Sequence, residues 1–253
     1  MSAAEPIPQP VRLIEEGDMD AGDIRRLATL EDRHWWFGER RAILARWLRQ
    51  LRRCGTAPGT ALDIGAAAGG NTRVLRAAGW RPIALEYSAD GAAIARERGL
   101  TVIRGDATNL PCGSRTLDLV AAFDVLEHIE DDYLAAAEIR RVLRPGGILL
   151  VTVPADMRLW SAHDVGSHHF RRYDRASLHR VVSKAGLHVE QLWNWNVLLR
   201  PVVAMTRKRA SGNELTMMPR PVNAALRSVV VAERYLPVRR APGVSLMLLA
   251  RRS

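Results

Sequence analysis

Apolar residues recur at helical spacing between about Asp23 and Arg53, with Ile24, Leu27, Leu30, Ile43, Leu44 and Trp47 on one stripe. A helix is predicted there, interrupted near His34-Trp35-Trp36-Phe37-Gly38 and closed by the turn residues Gly55, Pro58 and Gly59. From Ala61 the period changes. Short apolar runs at Ala61–Ile64, Pro82–Glu86, Thr101–Arg104, Leu117–Phe123 and Ile148–Val153 predict strands. Between them lie helical patterns ending at Ala78, over Ala89–Arg98 and over about Asp132–Leu143, the last stopped by Pro145-Gly146-Gly147. Arg175–Ala185 reads as a further helix, and His188–Trp195 and Val244–Ala250 as further strands. The stretch from Leu198 to Pro242 is the least regular. Strands joined by helices through short connections predict an α/β fold, a mostly parallel seven-stranded sheet covered on both faces.

Composition narrows the class. Hydrophobic residues at 47% and charged residues at 25% of 253 are the balance of a folded chain long enough to bury its own core. Two cysteines, Cys54 and Cys112, exclude a disulfide scaffold and a four-cysteine zinc site. The polar, proline-rich start from Met1 to Pro10 does not read as a secretory signal, and no apolar run reaches the roughly 20 residues of a membrane span. A soluble, cytoplasmic protein is expected. The net charge of +10 could indicate an anionic partner, yet Lys184 and Lys208 are the only lysines among 37 basic residues. Arginine-biased coding accounts for that excess more simply than nucleic acid does, and the basic residues are scattered with no nucleic-acid-reading motif.

The chemistry concentrates at strand ends. Leu62-Asp63-Ile64-Gly65-Ala66-Ala67-Ala68-Gly69-Gly70 is a strand running into a turn of small residues, where backbone can approach a ligand at the sheet's carboxyl edge. No Lys-Ser or Lys-Thr follows, which excludes a Walker phosphate loop, and no Gly-x-Gly-x-x-Gly is present. Glu86 ends the second strand, placed to take two ribose hydroxyls, and Asp106 follows the third, placed to accept from an adenine amino group. Phe123-Asp124-Val125-Leu126-Glu127-His128 follows the fourth. Each acid lies just past a strand, so all can converge on one crevice.

This ordered set resembles the class I S-adenosylmethionine-dependent methyltransferases, strongly over Ala61 to Ala155. The resemblance implies a Rossmann-like doubly wound sheet with an N-terminal helical segment and lid insertions. Its division would be a helical cap over 1–55 and a methyltransferase domain over 56–253, with a cofactor-binding half (61–155) and a substrate and lid half (156–253). It implies S-adenosylmethionine as cofactor. Gly65 and Gly69 would face its methionine portion, Glu86 its ribose and Asp106 its adenine, with Asp63, Ala67, Tyr87, Ala107 and Phe123 completing the site. Ala67 departs from the pattern, since the family usually has glycine there, and its methyl group could lower affinity or shift the turn.

Two further clusters, His34-Trp35-Trp36-Phe37-x-x-Arg40-Arg41 and Trp160 to Tyr173, look like a bacterial branch of the type 11 methyltransferases. That resemblance implies a small-molecule or lipid-linked acceptor. A base must remove the acceptor's proton, and a neutral imidazole suits the task. His163, beside Asp164, is the first candidate and His168 the second. Trp35, Trp36, Asp164, Arg171, Arg172 and Tyr173 are the candidate acceptor contacts, with Trp35, Trp36, His163, His168 and Tyr173 expected around one shared pocket. His163, His168, His169 and Asp164 are metal-type residues, yet no metal is assigned, because no sheet motif fixes a geometry. His128 reads as structural. The basic, apolar stretch from Trp193 to Arg240 suggests peripheral contact with an anionic membrane, or a homodimer surface. The alternatives are a nucleic-acid methyltransferase, for which an Asn-Pro-Pro-Tyr type signature is lacking, and a non-catalytic cofactor-binding or assembly protein of the same fold.

Overall fold

The computed structural model describes residues 28–209 and 218–253; the predicted helix start at Asp23 to Leu27 lies outside them. Residues 28–33 are helical, and His34 then breaks the chain in an extended conformation. Its Nδ1 accepts a hydrogen bond from the Trp36 amide at 3.2 Å, which starts helix α1, Trp35–Arg53. The aromatic cluster therefore opens a helix rather than interrupting one, because an imidazole acceptor satisfies an otherwise unpaired first-turn N–H. Ile43, Leu44, Trp47, Leu48 and Leu51 form the buried stripe of α1.

The chain then runs β1 (Thr60–Ile64), α2 (Gly70–Ala77), β2 (Arg81–Glu86), α3 (Ala89–Glu97), β3 (Val102–Arg104), β4 (Leu117–Phe123) and α4 (Asp132–Val142). It continues through β5 (Leu143–Pro154), α5 (Ala162–Gly166), α6 (Arg175–Lys184), β6 (Leu187–Trp195), α7 (Arg200–Arg209), α8 (Arg220–Ala232) and β7 (Ser245–Arg252). The strands form one sheet in the order β3-β2-β1-β4-β5-β7-β6. Pairing is parallel from β3 through β5, and β7 runs antiparallel to both of its neighbours. The order reverses between β1 and β4, and in such sheets a crevice opens there at the carboxyl ends of the strands.

Alternation along β4 divides the interior. Leu119, Ala121 and Phe123 pack with α1, including Trp35 and Trp47, while Val120 and Ala122 pack with α4, α6 and Tyr173. The first helix thus shares a core with the sheet it covers.

Two expectations are corrected. β5 begins at Leu143, five residues early: Leu117 pairs with Leu143 and Leu119 with Ile148, so Arg144 to Gly147 bulge out between paired positions. The stretch from Leu198 to Pro242 contains two helices, α7 and α8, whose described side chains are nearly all partly exposed, which blurs the apolar period. No helix among the described residues is long and apolar enough to cross a membrane.

Candidate active site

The turn after β1 is built from left-handed backbone. Gly65 (φ 65°) and Gly69 (φ 81°) adopt it without strain. An added Cβ at Gly65 would lie 2.8 Å from Val125 Cγ2, and one at Gly69 would overlap Leu100 Cδ1. Ala67 takes the same conformation, φ 46°, with a side chain that disfavours it. Glu86, at the end of β2, accepts from the Ala67 amide at 2.6 Å and from the Ser88 amide at 3.0 Å. Both oxygens are thereby fixed at the crevice mouth.

Asp63 is wholly buried at the end of β1; one carboxylate oxygen accepts from Thr72 Oγ1 at 2.5 Å and the other has no partner among the described residues. Burial drives its pKa up to about 7, against the Thr72 hydrogen bond. An unpaired acceptor beside a turn of small residues suits a cationic, amine-bearing ligand such as the methionine portion of S-adenosylmethionine. Asp106 is exposed, with Oδ1 accepting from the Thr108 amide and hydroxyl, each at 2.8 Å. Tyr87 is 45% exposed beside Glu86, and Arg104 holds its carbonyl at 3.1 Å. Ala107 is buried, and Phe123 packs inward against Trp47 with the Arg40 guanidinium 5.6 Å above its ring. Phe123 is thus held away from the open edge.

Two features of this edge escaped the sequence reading. Arg40 is buried and ion-paired to Asp124, while its other terminal nitrogen donates to Thr152 Oγ1 at 3.0 Å; Thr152 in turn donates to Asp124 at 2.8 Å. This triangle ties α1 to the ends of β4 and β5. Asp32 pairs with Arg73 and, at 3.1 Å, with Arg98, which also donates to the Ala68 carbonyl at 2.8 Å. The helical residues 28–33 are latched onto the glycine turn. No motif announced either set, because its members lie far apart in sequence.

The connection after β5 corrects several expected acceptor contacts. Asp164 is fully buried and accepts from the Ser161 amide (3.0 Å), Arg172 (2.8 Å) and Arg207 (3.1 Å), with His169 Nδ1 2.9 Å away. Burial pushes its pKa up, but His169 and Arg172 outweigh that and hold it below the usual value. Arg172 is also buried, donating to the Ala155 carbonyl at 3.0 Å. Tyr173 is 1% exposed and donates to Asp132 at 2.7 Å; burial and that bond push its phenol far above the ordinary range. All three are framework. Arg171 is spent on Asp132 at 3.0 Å and on the Glu130 carbonyl.

Trp35 and Tyr173 occupy opposite faces of the sheet, so the shared pocket expected around them does not form. Trp35 is buried, its amide donating to Asn223 at 2.8 Å, and Trp36 stacks 4.8 Å from Trp195. His168 is exposed at φ 53°, and His163 lies 6.3 Å from the His169 ring. His128 has an exposed residue surface, but protein crowds its imidazole; this burial, with His169 beside it, lowers its pKa to about 4.

A family of methyltransferase domains matches residues 62–151, the span from β1 to β5 that carries the glycine turn and the strand-end acids. Over that span the chain is similar to the S-adenosylmethionine-dependent methyltransferases. A Mycolicibacterium smegmatis protein named "Probable S-adenosylmethionine-dependent methyltransferase" is 28% identical over 66% of this chain and 64% of its own length. A demethylmenaquinone methyltransferase from a Mycobacterium species is 34% identical over 38% of this chain and 43% of its own. The chain spans under two thirds of the length of these curated relatives. In fold, the Haemonchus contortus phosphoethanolamine N-methyltransferase 2, solved with S-adenosyl-L-methionine, aligns over 98% of this chain and 62% of its own. That alignment has TM-score 0.65 and 17% identity. Asp63, Gly65, Gly69, Glu86 and Asp106 thus lie along one edge of the sheet as candidate cofactor contacts.

Proposed function

We propose that this chain transfers a methyl group from S-adenosylmethionine to an oxygen, or alternatively a nitrogen, of a small-molecule or lipid-linked acceptor. The observation that carries the reading is the edge itself: a left-handed glycine turn braced by Glu86, with Asp63 and Asp106 at neighbouring strand ends. The bound cofactor supplies the electrophilic methyl group. The protein's own part is to hold the acceptor in line, exclude water and accept a proton. The similarity to a demethylmenaquinone methyltransferase supports a lipid-linked acceptor class.

His163 and His168 are the proposed proton acceptors, on the connection that follows β5. Tyr87 and Asp106, both exposed, are proposed to meet the adenosine portion.

Isothermal titration with S-adenosylmethionine and its demethylated product tests the first half. Binding in the micromolar range, about −8 kcal/mol at 1 μM, is expected. No binding overturns the proposal. Labelled cofactor offered to pools of phenols, quinones, lipids and nucleic acids tests the second half; label found only in nucleic acid refutes the acceptor class. With a substrate known, replacing the true base by glutamine should lower kcat by about 10²–10⁴-fold with cofactor affinity kept.

A further inference from the structure

We propose that Glu127, His128 and His169 form a binding site for one divalent transition-metal ion. Glu127 is 0% exposed, and neither of its carboxylate oxygens has a hydrogen-bond partner among the described residues. Folded chains seldom leave a buried carboxylate unsatisfied, because its lost hydration must be replaced. Here the replacement is at hand. A Glu127 oxygen, a His128 ring nitrogen and a His169 ring nitrogen all lie within 4.8 Å of one another. The two imidazoles meet edge to face, with centroids 4.6 Å apart at 85°. Ligands held about 2.1 Å from one tetrahedral ion lie about 3.4 Å apart, so side-chain rotations of up to about 1.4 Å would bring the three atoms to coordinating distance.

The surroundings are those of a metal ligand set. His169 Nδ1 is engaged by Asp164 at 2.9 Å, which leaves Nε2 as the coordinating atom. Asp164 is itself fixed by Arg172 and the Ser161 amide. A carboxylate behind a histidine orients the ring and raises its basicity toward a metal. The Phe170 amide donates to the Glu127 carbonyl at 2.7 Å, so the two ligand-bearing segments are already joined. Asp124, Arg40 and Arg172 also face Glu127. Arg40 is paired with Asp124 and Arg172 with Asp164, so neither guanidinium is committed to Glu127.

Two imidazoles and one carboxylate favour zinc, iron, cobalt or nickel over magnesium or calcium. Three protein ligands leave a coordination position for water or a substrate atom. His128, exposed on its residue surface, keeps the cluster reachable from solvent just past the carboxyl end of β4. The competing arrangement is an ion-free one. Arg172 Nη2 is also buried and unpartnered among the described residues, and in that arrangement it would donate to Glu127.

Cobalt(II) separates the two arrangements by direct titration of the full chain after chelator treatment and dialysis, independently of methyl transfer. One equivalent should bind with a visible ligand-field band and be displaced by zinc. Glu127→Gln and His169→Gln should each weaken binding at least tenfold, while His179→Gln, on the exposed side of α6, should bind as the parent does. Glu127→Gln is nearly isosteric with the parent side chain, so it keeps the test valid even if the histidine variants fold poorly. Zinc should raise the Tm of the parent and leave that of Glu127→Gln unchanged. Absence of stoichiometric cobalt binding, or equal affinity in the parent, Glu127→Gln and His169→Gln, overturns the site.

Discussion

The Ala67 amide donates to Glu86 Oε2 at 2.6 Å, joining the glycine turn after β1 to the end of β2. The residue proposed to meet the cofactor's ribose is thus also the brace of the loop proposed to meet its methionine portion. With the Ser88 amide on its second oxygen, the carboxylate is already oriented and little side-chain freedom remains to be lost on binding.

Replacing Glu86 by alanine removes both the acceptor and the brace. Affinity for S-adenosylmethionine should fall by about 1.5–3 kcal/mol, the range for hydrogen bonds to a charged group. Calorimetry measures it, with far-ultraviolet circular dichroism confirming an intact fold. Unchanged affinity would remove Glu86 from the site.

Ala67→Gly should relax the turn. A non-glycine residue at φ 46° costs on the order of 1 kcal/mol, which glycine avoids while losing more entropy on folding. Stability should therefore change little. Cofactor affinity should stay equal or tighten several-fold, as the methyl group leaves the ligand's path. Weaker binding by the glycine variant would contradict this account.

Asp63 gives the chain a pH-dependent liability. Its carboxyl titrates near 7 when folded and near 3.8 when unfolded, so its protonation favours the folded state. That contribution is fully present below about pH 3.8 and is lost as pH rises through about 7. Asp63→Asn keeps an acceptor for Thr72 without the charge. It should exceed the parent in stability at pH 8 by roughly 2–4 kcal/mol, with the gap closing toward pH 4. Denaturant unfolding at both pH values checks it; an equal or lower midpoint for the variant at pH 8 contradicts it.

Tyr173→Phe distinguishes framework from substrate contact. Loss of the bonds to Asp132 and the Leu126 carbonyl should destabilise the fold by about 1–2 kcal/mol. Acceptor KM should be unaffected. A raised KM at full stability would restore the tyrosine to the acceptor site.

Much of the architecture was written in the apolar runs. Leu117–Phe123 is legible because a strand buried on both faces is almost wholly apolar, here broken only by Asp118, and the acids at the strand ends stand out against those runs. Periodicity did not say which face of the sheet a residue covers. Trp35 and Tyr173 were therefore grouped by sequence motif, although the sheet stands between them. Asp164 and Arg172 each read as acceptor contacts because a charge that is buried and paired looks like an exposed one in sequence. The orphaned carboxylate of Glu127 was out of reach for the opposite reason: a missing partner is a fact of three dimensions.

The latch formed by Asp32, Arg73 and Arg98 sits at the protein's edge, with Asp32 and Arg73 each about 37% exposed. Charges so placed are screened by dissolved ions far more than buried ones are. Whatever enters beside Ala68 passes a fastening whose grip depends on the surrounding electrolyte. Cofactor exchange should quicken as salt is added.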